Sequence, residues 1–141
     1  MRKLDDTCNG EVFEGPNIVC ADDNIDCEGL VKIAKKVENA EEIYIAPARC
    51  LVRTFSGDEM VEFRLIRERN LGMNRNKFYF EDDPSIPRQI LAVSDHKKYR
   101  DIVDIEEQIR LTVFHEDAHL SGIEDEEKAE KAAQDKVYGR Y

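Results

Sequence analysis

Asp104-Ile105-Glu106-Glu107-Gln108-Ile109-Arg110-Leu111-Thr112-Val113-Phe114-His115-Glu116-Asp117-Ala118-His119-Leu120-Ser121-Gly122 carries a helical repeat with a chemical signal set into it. Asp104 stands where an N-cap belongs, with Glu107 three residues on in capping-box position. Ile105, Ile109, Val113 and Leu120 then recur on one face, and Gly122 suits a C-terminal glycine cap. On a wheel of about 100° per residue, the two His and Thr112 flank that stripe. Leu111, Phe114 and Ala118 extend the apolar surface, and Glu106, Arg110 and Asp117 mark a narrow exposed side. Glu116 falls inside the apolar stripe, where a carboxylate needs a partner.

Within this helix, His115-Glu116-Asp117-Ala118-His119 is an H-E-x-x-H pattern, in a chain with only three histidines. Residues four apart share a helix face, so His115 and His119 can aim ring nitrogens at one metal ion. Glu116 points to a water on that ion rather than to the ion itself, which is the position of a general base. Gly122 lets the chain fold back, so that a carboxylate three residues on can complete two His and one acid around zinc, with a position left for water. Asp125 is the leading candidate for that third ligand, with N-capping of the next helix as its competing role. Glu126 is the alternative, facing inward with Glu130 four residues later. His96, among Ser94, Asp95, Lys97 and Lys98, reads as a surface residue.

Working outward, Asp125 opens a last helix whose inward stripe is Ala129, Ala132, Ala133 and Val137. Upstream, Asp26 is a plausible N-cap for a helix carrying Leu30, Ile33, Ala34 and Val37 and ending near Asn39. Glu42–Ala46 reads as a strand stopped by Pro47. Residues 50–67 suggest a β-hairpin around Ser56-Gly57-Asp58-Glu59, with Val61, Phe63 and Leu65 alternating with Glu62 and Arg64. Residues 67–77 read as a polar loop, and Lys77–Phe80 and Gln89–Val93 as further strands. Residues 1–26 are acidic and turn-rich, an irregular N-terminal segment with Asn17–Cys20 as a candidate edge strand. The expected fold class is α+β in one domain over 1–141: a small, mostly antiparallel sheet with helices packed on one side.

Composition bounds the partners. The 141 residues hold 21 Lys plus Arg against 31 Asp plus Glu, a net charge of −10. That balance argues against nucleic-acid binding and against docking on anionic membranes. No apolar run approaches the ~20 residues that span a bilayer. Met1-Arg2-Lys3-Leu4-Asp5-Asp6 turns acidic where a signal peptide turns apolar, so the expected location is the cytoplasm. Cys8, Cys20, Cys27 and Cys50 show no C-x-x-C spacing, and reduced thiols are expected.

Residues 105–133 resemble the active-site region of zincin metallopeptidases, in particular the compact single-domain zincin-like proteins of bacteria, archaea and phages. Some of these carry H-E-x-x-H-x-x-G-x-x-D followed by an acidic helix, as Gly122-Ile123-Glu124-Asp125-Glu126-Glu127 does here. Others are minimal gluzincins with a Glu ligand on the following helix and an E-x-x-A stretch, which Glu126-Glu127-Lys128-Ala129 matches. The resemblance covers about a fifth of the chain. It implies one Zn2+ per chain, Glu116 as catalytic base, a hydrolase cutting peptides or flexible protein segments, and an edge strand beside the active helix that takes substrate backbone by strand addition. The chain departs from metzincins, since Met1, Met60 and Met73 all precede the motif and no Met turn follows it. Tyr99 and Tyr138 are the nearest candidates for an oxyanion partner. The alternative is a non-catalytic or latent zinc domain, with the tail Val137–Tyr141 folded over the cleft or a thiol such as Cys50 on the zinc.

Overall fold

A computed structural model describes residues 1–8, 10–68, 70–75, 87–95 and 104–139. It is α+β. Five strands, β1 (Phe13–Glu14), β2 (Ile18–Cys20), β3 (Glu42–Ala46), β4 (Gly72–Asn74) and β5 (Gln89–Val93), form one sheet in the order β1-β2-β3-β5-β4. Pairings β2–β3 and β3–β5 are parallel, while β1–β2 and β4–β5 are antiparallel. The sheet is therefore mixed rather than mostly antiparallel. Asn17–Cys20 also proves not to be an edge: β2 lies between β1 and β3, and the acidic N-terminal segment contributes two strands.

Helices cover both faces of this sheet, not one. Ile18, Ile43, Ile45, Ile90 and Ala92 pack with α1 (Cys27–Leu30), the 3-10 turns at Val31–Lys36, α4 (Ile105–Leu120) and α5 (Glu126–Tyr138). The alternate residues Val19, Tyr44, Ala46, Leu91 and Val93 pack with Leu4, α2 (Ala48–Thr54) and α3 (Glu59–Glu62). Burial on both sides is what parallel central strands require, and every residue of β3 and β5 is buried.

The expected hairpin at 50–67 is instead α2, α3 and a π-helical turn at Phe63–Arg67. Two periods compete in this segment. Val61 and Leu65, four apart, are fully buried, whereas Phe63 between them is 40% exposed. Asp58 settles the choice locally by accepting hydrogen bonds from the Met60 and Val61 N–H groups, an N-cap rather than a hairpin turn. The polar loop expected at 67–77 contains β4. The strand expected at Lys77–Phe80 lies outside the described residues.

The other helices start where expected: Asp26, Asp104 and Asp125 each cap with their side chains. The cysteines do not stay reduced. Cys8 is bonded to Cys50 and Cys20 to Cys27, with Cα–Cα distances of 5.0 and 5.5 Å. Folding brings together partners that are 42 and 7 residues apart in sequence, which local spacing does not report.

Two contacts set the position of α4. Gly72 lets β4 approach it closely: a Cβ there would lie 2.6 Å from Thr112 Cγ2 and 2.9 Å from the Leu91 carbonyl oxygen. Asp117, expected at the exposed side, is buried instead. Its carboxylate accepts hydrogen bonds from the backbone N–H groups of Glu38, Asn39 and Ala40 at 3.1, 3.0 and 2.9 Å. The Asn39 side-chain amide adds bonds to the Asp117 carboxylate and carbonyl. Removing this carboxylate leaves three backbone donors without their acceptor, so Asp117→Ala should destabilise the fold by roughly 2–4 kcal/mol. A urea titration checks this, and an unchanged midpoint would contradict it.

Candidate metal centre

The site is built by two helices and the turn between them. At the end of α4 the Gly122 N–H bonds the His119 carbonyl at 3.0 Å and the Ile123 N–H bonds the Ala118 carbonyl at 3.3 Å. Gly122 takes a φ of +110°, so this is a Schellman reversal at the glycine expected to provide it. The reversal turns the Ile123 carbonyl back onto His119, where it accepts from Nδ1 at 2.7 Å. It also lays the first turn of α5 across the histidine pair.

Glu126, not Asp125, returns to the histidines. Asp125 is spent on capping, its carboxylate accepting from the Lys128 N–H at 2.9 Å. Glu126 and Glu130 are four apart on α5 and face His115 and His119, four apart on α4. Glu126 Oε2 lies 2.8 Å from His115 Nε2 and its Oε1 lies 3.0 Å from His119 Nε2. The two Nε2 atoms are 3.0 Å apart. His115, His119 and Glu126 thus offer three ligand atoms within 4.8 Å of one another. Glu130 Oε2 sits on the far side of the His115 ring, 2.9 Å from Nδ1.

These outer contacts fix the protons. An acceptor at each Nδ1 holds hydrogen there and leaves a lone pair on each Nε2. Two imidazole lone pairs and a carboxylate therefore converge with no donor among them, an arrangement that calls for a cation at its centre. Tetrahedral ligands about 2.0–2.1 Å from zinc lie about 3.3 Å from one another, close to the 2.8–3.0 Å separations here. Two nitrogens and one carboxylate suit zinc and leave a coordination position over.

Glu116 stands beside this triangle, held by Asn74 of β4, whose Nδ2 donates to Glu116 Oε2 at 2.7 Å. Burial pushes the Glu116 carboxyl above the usual carboxylate range, with the Asn74 hydrogen bond and the two imidazoles pulling the other way. For His115, burial works to lower the imidazole, but hydrogen bonds and charge from Glu130, Glu116 and Glu126 outweigh it and hold it above the ordinary histidine value. Asn74 is the residue that sequence reasoning missed. It sits in a stretch read as loop, and nothing in Leu71-Gly72-Met73-Asn74 announces a partner 42 residues away.

All of these groups line one cavity of about 610 Å³, walled by α4, β4, the start of α5 and the π-helical turn. Tyr138 is 45% exposed at the far end of α5 and does not line it. Cys50 belongs to the helical layer on the opposite face of the sheet and is bonded to Cys8, which removes it as a zinc-blocking thiol. His96, Tyr99 and the tail residues Arg140 and Tyr141 lie outside the described residues. Among those described, no helix is long and apolar enough to cross a membrane. No family model, curated protein or solved structure matches the chain.

The raised His115 value gives a pH test on metal-free protein. A group whose folded pKa lies above its unfolded value stabilises fully below the unfolded value, about 6.5 for His. That contribution is lost as pH rises through the folded value. In excess chelator, the melting-temperature advantage of wild type over His115→Gln should be largest below about pH 6.5 and fade above it. An advantage that grows with pH would contradict the assignment.

Proposed function

We propose that the protein is a zinc-dependent metallopeptidase that hydrolyses peptide bonds in peptides or flexible protein segments. The observation that carries this reading is the convergence of three acceptors, His115 Nε2, His119 Nε2 and the Glu126 carboxylate, beside a buried fourth group, Glu116, in an open cavity. His115, His119 and Glu126 hold one zinc ion per chain, with Glu130 and the Ile123 carbonyl orienting the two rings. Zinc supplies Lewis acidity and lowers the pKa of water towards ~7.

The chain's own residues do the rest. Glu116 takes the proton of the attacking water and returns it to the leaving amine. Its elevated pKa suits both halves of that cycle near neutrality. Asn74 keeps one carboxylate oxygen occupied and so directs the other towards the reaction. The outer edge of β4, which has no neighbouring strand among the described residues, offers backbone groups to an extended peptide. A purely structural zinc site usually has four protein ligands and has no need of a carboxylate in the position of Glu116.

Two measurements test the proposal. Elemental analysis should find about one zinc per wild-type chain and much less in His119→Ala and Glu126→Gln, with Asp125→Asn retaining it. Equal zinc in all four would sink the site. With casein as substrate, Glu116→Gln should keep its zinc and lose at least about 10²-fold in turnover, the usual share of general-base catalysis. Undiminished activity in Glu116→Gln would reject the mechanism.

A further inference from the structure

We propose that Arg64 is a specificity-determining residue that reads a carboxylate on the substrate, on the C-terminal side of the bond to be cut. This rests on the peptidase reading and adds the substrate class. The cavity has a direction. Gly72 of β4 lies against Thr112 of α4, and two residues further Asn74 reaches Glu116, four residues further on the helix. The strand and helix therefore run side by side in the same sense. Followed backwards, they lead to Asn70 and Gln108, both on the cavity wall, and there the π-helical turn brings in Arg64. The Arg64 carbonyl accepts from the Asn70 N–H at 3.1 Å, which ties the two segments together. Followed forwards, they lead past His119 to Glu124.

Charge is divided along this axis. Among the described residues that line the cavity, Arg64 is the one cation. Glu116, Glu126 and Glu130 gather around the histidines, and Glu124 lies beyond them. A peptide has the matching polarity. An extended chain laid antiparallel on the edge of β4 runs from the Asn74 end towards Asn70, so its C-terminal portion arrives at Arg64. The guanidinium is half-buried and steadied by Glu68, 3.5 Å from Nε and one turn along. Its planar fork of five donors can serve a second carboxylate at the same time. The ligand chemistry is thus a carboxylate, supplied either by an acidic side chain or by the terminus of a short peptide.

Binding to the zinc-loaded Glu116→Gln protein, read by fluorescence anisotropy, tests this without relying on turnover. Three fluorescein-labelled hexapeptides differ only at the last residue: Gln amide, Glu amide, and Gln with a free carboxyl. One or both acidic probes should bind about tenfold tighter than the neutral one, and which of them does so identifies the source of the carboxylate. In Arg64→Met the preference should shrink to within twofold, and in Arg64→Lys part of it should remain. Equal binding of all three probes with Arg64 intact, a preference that survives in Arg64→Met, or no binding of any probe would overturn the proposal. Equal binding and absent binding are both read with Arg64 in place, so they hold even if Arg64→Met fails to fold. Casein turnover by wild-type protein tests the peptidase reading separately. Discrimination without turnover removes that reading and leaves Arg64 a carboxylate reader, and turnover without discrimination removes only the role of Arg64.

Discussion

One buried carboxylate governs the roll of the central helix. Asp117 accepts from three successive backbone N–H groups, Glu38, Asn39 and Ala40, and so pins one line of α4 to the segment that leads into β3. Because successive residues are rotated by about 100°, fixing Asp117 fixes its neighbours. Glu116 is swung towards β4, His115 and His119 towards α5, and Val113 and Ile109 into the core. A small change in roll would move both imidazoles and the base together. The second residue of the H-E-D-A-H stretch between the two His is thus architectural, although it sits among chemical ones.

The site is preorganised by contacts that do not themselves touch a metal. Glu130 and the Ile123 carbonyl set the tautomers of His115 and His119, and the Gly122 reversal supplies both that carbonyl and the approach of α5. Asn74 comes from the opposite wall, and it arrives there because Gly72 lets an edge strand lie directly on the helix. Each of these partners costs little by itself, since a backbone carbonyl, a glycine and an amide are ordinary components. Their joint effect is to leave lone pairs, rather than protons, facing the centre of the His115–His119–Glu126 triangle.

The Cys8–Cys50 and Cys20–Cys27 bonds belong to the same economy of a small chain. One ties the N-terminal segment to α2, and the other ties the end of β2 to the start of α1. Each fastens a short element to the sheet on a different face, where a chain of this length has few apolar side chains to spare.

Local chemistry was legible wherever a short-range rule acts alone. The i, i+4 pair His115 and His119, the caps Asp26, Asp104 and Asp125, the glycine reversal at Gly122 and the buried runs 42–46 and 89–93 could all be read from adjacent residues. Each depends on helix or strand geometry within one or two turns of chain. Other features were decided only by tertiary structure. Val61, Phe63 and Leu65 satisfy a strand period and Val61 and Leu65 a helical one, and packing under Tyr44 and Leu91 chose the helix. Asp125 and Glu126 are equally placed in sequence to reach the histidines. Asp125 is consumed by capping, and the longer Glu126, on the same face as Glu130, makes the contact. Asn74, Asp117 and the cysteine pairs find partners 42, 77 to 79, and 42 and 7 residues away. A periodic pattern reports which face of an element is apolar, but not which distant polar group will meet it once the sheet has chosen its strand order.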